Sequence, residues 1–325
     1  MKKVCFLALV TYLVVTTACD KEDVALTDLY LYIPTNGNTL IQEPATLMLE
    51  IGDKETLIAF AEPDNATNKE LLWSSDTPPV ATVNDNGEVV AITTGMANIT
   101  VSTNDGRYSK TCHIFVIPAG PKRMTLTKGI NYDNVSLLVS GRGTFTIDWG
   151  DGSIIETDSS DWGLQVHSYS DRSSRTINII GGNVSTLSCE SDIIDFDLSN
   201  NIALTNLGCN LNVLTSLDVS KNIWLYSLSC NYNHLTSLDL SNNVNLTWLD
   251  CCVNKLTSLD VSKNIALTSL KCNTNNLKTN DLEALFETLN TNAGTKKIYI
   301  GGNPGTEACD RGIATNKGWI VSDWK

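Results

Sequence analysis

A period of 21 residues in the C-terminal half constrains this chain more than any other feature. The string LTSLDVSKN stands at residues 214–222 and again at 256–264, with LTSLDLSNN between them at 235–243. Asp197, Asp218, Asp239 and Asp260 keep the same step. So do Cys209, Cys230, Cys251 and Cys272, and so do Asn212, Asn233, Asn254 and Asn275. Self-similarity at this period, with Leu at fixed offsets, specifies coils too small to bury an apolar face singly, so they must stack. Stacking builds an extended surface, which points to binding.

Each coil reads L-x-x-L-x-C-x-x-N-x-L and then T-S-L-D-V-S-K-N. Leu228 and Cys230 are two residues apart, so they share one face of a short strand and point inward. Cys acts there as a small hydrophobe. Asn233 falls where the strand must turn, and its amide is placed to satisfy backbone groups of its own and neighbouring coils. The Asp column lies in D-V-S-x-N turns and reads as capping.

These residues resemble the leucine-rich repeats, in the short, internalin-like form, over roughly residues 184–303. Val184, Leu187 and Cys189 open an earlier coil, with Asp192 in the Asn place and one residue missing before Ile193. Ile298, Ile300 and Asn303 read as the last coil. Leu282, Leu285, Phe286 and Leu289 form one helical stripe over residues 281–289. A parallel β-helix is the rival fold, because both half-repeats contain L-x-x-L; the Asn column favours the leucine-rich repeat. The expected fold class is mainly β: an N-terminal β-sandwich over 25–118, a β cap over 119–183, and a leucine-rich-repeat domain over 184–325 closed by a helix and a strand.

At the N-terminus, Lys2 and Lys3 precede an apolar run over residues 4–15 and small residues before Cys19, as in a secretion signal. The run is too short to span a bilayer, which takes about 20 residues. Thr17-Ala18-Cys19 resembles a bacterial lipobox, with Thr16 departing from the usual Leu. That resemblance implies a signal peptide over 1–18, lipidation of Cys19, a tether over 19–24 and a lipid anchor in the outer membrane of a Gram-negative bacterium, at the cell surface. Asp20-Lys21-Glu22-Asp23 is either an acidic surface-export tag or a solvated linker.

Once Cys5 is removed and Cys19 acylated, eight cysteines remain. Cys189, Cys209, Cys230, Cys251 and Cys272 read as an inward thiol column, whereas Cys252 faces out. No C-x-x-C pair or His at ligand spacing supports a metal, and no cofactor is expected. A net charge of −13 weighs against nucleic acid and anionic glycans as partners.

Before the repeats, Leu72-Trp73-Ser74-Ser75 and Val80-Ala81-Thr82-Val83 are strand runs, followed by a turn at Asn86-Gly87. Gly95, Ala97, Ile99 and Val101 alternate, as do Cys112, Ile114 and Val116, and Trp73 is placed as a core aromatic. This segment resembles the group 2 bacterial Ig-like domain, a spacer and adhesion module, which implies no catalytic residues. Farther on, Phe145, Ile147 and Trp149 lead into Gly150-Asp151-Gly152, with His167 and Tyr169 beyond. W-G-D-G with H-x-Y is similar to the polycystic-kidney-disease type of Ig-like domain, in a segment short of the about 100 residues of an Ig sandwich. It ends at Gly181-Gly182 and is expected to cap the first coil. Asp148 and Asp151 read as turn formers, since calcium-loop spacing is absent.

None of His113, His167 and His234 has a Ser or Cys partner that the repeat would enforce, so no enzyme is expected. Outward positions form three columns: Thr186, Asn206, Ser227, Trp248, Ser269 and Lys297; Ser188, Gly208, Ser229, Asp250, Lys271 and Tyr299; Glu190, Asn210, Asn231, Cys252, Asn273 and Gly301. Trp248, Tyr299 and Tyr232 are large aromatics on a field of Ser and Asn. With Asp250, Lys271 and Asn231 they are the candidate ligand-binding residues. The leading expectation is a non-enzymatic lipoprotein, tied to the membrane by its N-terminal lipid, that binds a protein or host ligand through the concave face. A carbohydrate-capture lipoprotein of a nutrient-uptake system, with a glycan as ligand, and an architectural envelope protein are the alternatives.

Overall fold

A computed structural model describes residues 25–33, 39–40, 45–117, 119, 122–157, 163–190 and 192–323. The signal segment, Cys19 and the acidic tether lie outside the described residues. The chain divides into two compact units, residues 1–119 and 120–325.

The first unit contains β1 (Asp28–Ile33), β2 (Thr39–Leu40), β3 (Ala45–Glu50), β4 (Lys54–Thr56) and β5 (Ile58–Glu62). It continues with β6 (Leu71–Ser75), β7 (Ala81–Val83), β8 (Glu88–Ala91), β9 (Gly95–Thr103) and β10 (Ser109–Ile117). They form sheets in the orders β2-β1-β5, β3-β10-β9-β6 and β4-β8-β7. Period-two alternation sends Ala97, Ile99, Val101, Cys112, Ile114 and Val116 into the core, and Trp73 packs half-buried against it. The Asn-Gly turn forms as its residues dictate. Asn84 Oδ1 accepts the N–H groups of Asn86 and Glu88, and Gly87 sits at φ 77°, where a Cβ would lie 2.3 Å from Leu57 O.

The second unit begins with β11 (Arg123–Lys128), β12 (Asn134–Asp148), β13 (Ile154–Thr157), β14 (Gly163–Ser168), β15 (Arg175–Glu190) and β16 (Ile193–Asp197). One short strand per coil follows: β17 (Asn206–Gly208), β18 (Ser227–Ser229), β19 (Trp248–Asp250) and β20 (Ser269–Lys271). Then come α1 (Thr279–Thr288), β21 (Lys296–Tyr299), α2 (Gly312–Thr315) and β22 (Trp319–Ser322). All these strands share one sheet. β15 pairs antiparallel with β11 and β12, and its last residues pair in parallel with β17 at Leu187↔Leu207. The expected break at Gly181-Gly182 is therefore a bulge within a running strand, with φ 94° and 51°. β22 pairs in parallel with β21, so Ile298 and Ile300 do not mark the last strand of the stack.

The inward phase is as read. Leu228, Cys230, Leu235, Leu249 and Cys251 are fully buried, in a core continuous from Phe145 and Trp149 to Trp319. Every cysteine among the described residues is unpaired. Asn233 Oδ1 accepts the Leu214 N–H (3.0 Å), while Nδ2 donates to the carbonyls of Cys209 (2.8 Å) and Cys230 (3.1 Å). Asn254 and Asn275 repeat this pattern. In a second ladder, Asn201, Asn222, Asn243 and Asn264, the side-chain amides only donate, from Asn222 onward to the backbone carbonyl of the preceding ladder Asn; their buried Oδ1 atoms meet no partner among the described residues.

Asp192 departs from the Asn role expected of it. Its carboxylate accepts the Asn131 backbone N–H (2.6 Å) and the Asn131 amide, and its carbonyl accepts the Gly129 N–H (2.7 Å). It ties the turn after β11 to the first coil. In α1, Leu282, Leu285 and Phe286 face the core as the stripe requires.

Candidate ligand-binding face

The parallel pairing places the predicted outward columns side by side. Asn206, Ser227, Trp248, Ser269 and Lys297 are in register, as are Gly208, Ser229, Asp250, Lys271 and Tyr299. Ile320 and Ser322 of β22 extend both rows.

Trp248, Asp250 and Lys271 come together. The Lys271 ammonium lies 3.3 Å from Asp250 Oδ2 and 5.5 Å from the centroid of the Trp248 ring. Asp250 is only 5% exposed, which corrects its reading as a contact residue. Its long neighbour covers it, and its other oxygen accepts the Cys252 N–H at 3.2 Å. Asp250 is thus a support that holds Lys271 against the indole. Tyr299 is half-buried beside Lys271. Burial, aided by a hydrogen bond with Asp250, pushes the Cys252 thiol up to about 12 and keeps it protonated.

Asn231 stands one coil earlier. Its Nδ2 donates to Ser229 Oγ (3.3 Å), which donates to Asn210 Oδ1 (2.5 Å). Tyr232 sits at the rim rather than on the strand, exposed, with φ 53°. Leu211, Val253 and Thr274 occupy the same left-handed position, each directly before a ladder Asn. In the third column Asn273 and Gly301 are buried, a further correction; a Cβ on Gly301 would lie 2.2 Å from Asp323 O.

Two groups escaped the sequence reading. Tyr226, exposed just before β18, breaks the alternation. Lys296 is buried, as period two from Ile298 dictates for a residue the periodic lattice did not include; its ammonium donates to the carbonyls of Asn290 (3.2 Å), Asn292 (2.5 Å) and Lys317 (2.9 Å).

The remaining motifs are structural. Asp197, Asp218, Asp239 and Asp260 each accept the N–H of the Ser two residues on, at 2.8 to 3.0 Å, and for all but Asp197 this bond is the main cause holding the carboxyl below its ordinary range. For Asp197 the Ser199 hydroxyl contributes most. Asp148 and Asp151 likewise accept N–H groups of their own turn. Asp151 also meets His167 Nε2 at 2.8 Å, a bond that holds its carboxyl down near 2, while the His167 ring stacks on Trp149. Among the described residues no group of three or more His, Cys, Asp or Glu is placed to hold a metal ion, and no helix is long and apolar enough to cross a membrane.

Residues 39–114 match the family described as Bacterial Ig-like domain (group 2). An uncharacterized protein of Clostridium acetobutylicum is 41% identical over 70 residues, 21% of this chain and 18% of its own length. An Ig-like virion protein of Serratia phage KSP90 is 39% identical over 85 residues, 26% of this chain and 32% of its own. The functional domain of InlJ from Listeria monocytogenes, which includes a cysteine ladder, aligns with 43% of this chain and 30% of its own at 31% identity and a TM-score of 0.35. The chain spans under a third of the length of each of these proteins. It is a mainly β protein whose N-terminal unit carries a group 2 bacterial Ig-like domain.

Proposed function

We propose that this is a non-enzymatic cell-surface lipoprotein that binds a protein or host ligand through the strand face of leucine-rich repeats, in adhesion or interaction. The observation that carries the reading is the contrast between layers. The inward lattice of Leu, Cys and Asn is nearly invariant from coil to coil, while the outward residues in register above it change freely, with Trp248 half-buried among Ser227, Ser269 and Lys271. The leucine-rich assignment is supported by one strand per coil, with none in the second half-repeat from β17 to β20, where a β-helix would need one. Burial holds the ladder thiols above their usual range, which opposes nucleophilic use. The Ig-like unit fits a spacer, and a virion protein among the relatives fits an exposed setting.

A pull-down from host-cell surface proteins, run beside a glycan array, identifies the ligand. Trp248→Ala then lowers affinity about thirtyfold, the equivalent of about 2 kcal/mol for a central aromatic. Asn245→Ala binds normally. Unchanged binding by a folded Trp248→Ala protein moves the site, most simply to the Ig-like unit. For the anchor, Cys19→Ala abolishes palmitate labelling and releases the protein from membranes; a wild type that takes up no lipid ends the lipoprotein reading.

A further inference from the structure

We infer that the face between Trp248 and Tyr232 is a binding slot for a neutral oligosaccharide; this rests on the strand-face reading and narrows it to one ligand class. The floor consists of Asn206, Gly208, Ser227 and Ser229, in register across β17 and β18, continued by Asn210 and Asn231. All six are small or amide-bearing and uncharged. Ser229 Oγ bridges Asn210 and Asn231, so hydroxyl and amide groups are already oriented by one another.

Trp248 forms one wall. Lys271, from the following coil, takes one face of the indole, and Asp250 neutralises it. The in-register neighbour on the preceding coil is Ser227, too short to cover the other face, and the exposed Tyr226 beside it accepts the Trp248 backbone N–H on its carbonyl at 3.3 Å. Tyr232 stands at the rim past the end of β18, five residues from Ser227 and so within about 16 Å of it, with its N–H donating to the Cys252 carbonyl of the Trp248 coil at 3.1 Å. It is exposed, at the left-handed position (φ 53°) that Leu211, Val253 and Thr274 occupy in the other coils, so the repeat fixes the backbone there and the side chain is free to vary. Of the side chains at this position Tyr232 alone is aromatic, and its exposed ring is available to a ligand.

The chemistry separates ligand classes. A protein interface needs an apolar centre depleted in charge, and this floor offers no aliphatic side chain. A flat sugar ring presents C–H groups on one face, which suit an indole, and hydroxyls around its edge, which suit paired amides and hydroxyls that both donate and accept. With Lys271 neutralised and the chain at −13, anionic sugars are disfavoured.

The test titrates the full chain calorimetrically with neutral gluco-, manno-, galacto- and xylo-hexasaccharides, and with sialylated and sulfated oligosaccharides for contrast. At least one neutral hexasaccharide binds. Trp248→Ala weakens it tenfold or more, Trp248→Phe much less, and Ser227→Arg, which fills the floor, abolishes it. Thr236→Ala, exposed elsewhere on the coil, leaves it unchanged. Failure of every neutral hexasaccharide to bind the folded chain overturns the proposal, as does binding that survives Ser227→Arg. Adhesion to host cells separates the two readings. If no sugar binds but Ser227→Arg removes adhesion, the sugar class falls and the strand face stands; if adhesion also survives, both fall.

Discussion

Replacing Asn233 by Ala should destabilise the repeat unit far more than replacing Asn243, although both are buried ladder asparagines of one repeat. Asn233 is the hydrogen-bond partner of the Leu214 N–H, and it also donates to three carbonyls, those of Cys209, Cys230 and Asn231. Truncation strands a buried N–H, at about 1–3 kcal/mol, and removes the bonds of two amide hydrogens shared among the three carbonyls, worth about 0.5–1.5 kcal/mol each, for an expected loss of about 2–6 kcal/mol. Asn243 donates to the carbonyls of Val219 and Asn222. Each of those keeps a backbone donor without it: Asn222 N–H at 3.0 Å on Val219 O, and Leu225 N–H at 3.0 Å on Asn222 O. Asn243→Ala also removes an Oδ1 that is buried without a partner, so its cost should be about 1 kcal/mol. Urea unfolding of the full chain, followed by circular dichroism and tryptophan fluorescence, reads both as midpoint shifts at constant slope. Equal costs, or the reverse order, would refute the claim that stranded donors rather than bond counts set the strength of this ladder.

Leu228→Ala and Leu249→Ala should each cost about 2–5 kcal/mol as core truncations, and Thr247→Ala under about 0.5 kcal/mol; denaturant melts that rank all three alike would place the strand phase wrongly. Lys296→Met keeps the apolar stem but leaves three carbonyls without their shared ammonium, so about 2 kcal/mol is lost and amide exchange in β22 accelerates; unchanged exchange at Trp319–Ser322 would show that Lys296 does not pin that strand. Asp151 has a folded pKa depressed from 3.8 to about 2, first by its bond to His167. Its stabilising contribution is therefore present above 3.8 and is lost as pH falls through 2. Acid melts of Asp151→Asn should lack that part of the decline, and an identical acid limb in both proteins would contradict it.

What could be read from residues alone was whatever repeats. Each coil meets the same local problem, so the inward Leu and Cys, the Asn at the turn, the Asx-type Asp and the pairing of one column with the next follow from a 21-residue step combined with strand alternation. The helical stripe Leu282, Leu285, Phe286 and the Asn-Gly turn before β8 are legible for the same local reason. Trp248, Lys271 and Tyr299 could thereby be assigned to the outward face. Their environments could not. Asp250 is covered because a lysine 21 residues later reaches back over it, and that depends on side-chain length across coils rather than on phase. Lys296 points inward by phase, but its ammonium can be buried only because carbonyls from two loops converge on it, and Asp192 leaves the Asn ladder because Asn131 and Gly129, some 60 residues earlier, present donors to it. The continuity of β15 through Gly181-Gly182 and the additional strand β22 likewise arise from pairing between distant segments. Periodicity encodes neighbours at a fixed step; contacts made once, between unlike segments, carry no period and emerge only when the chain is folded.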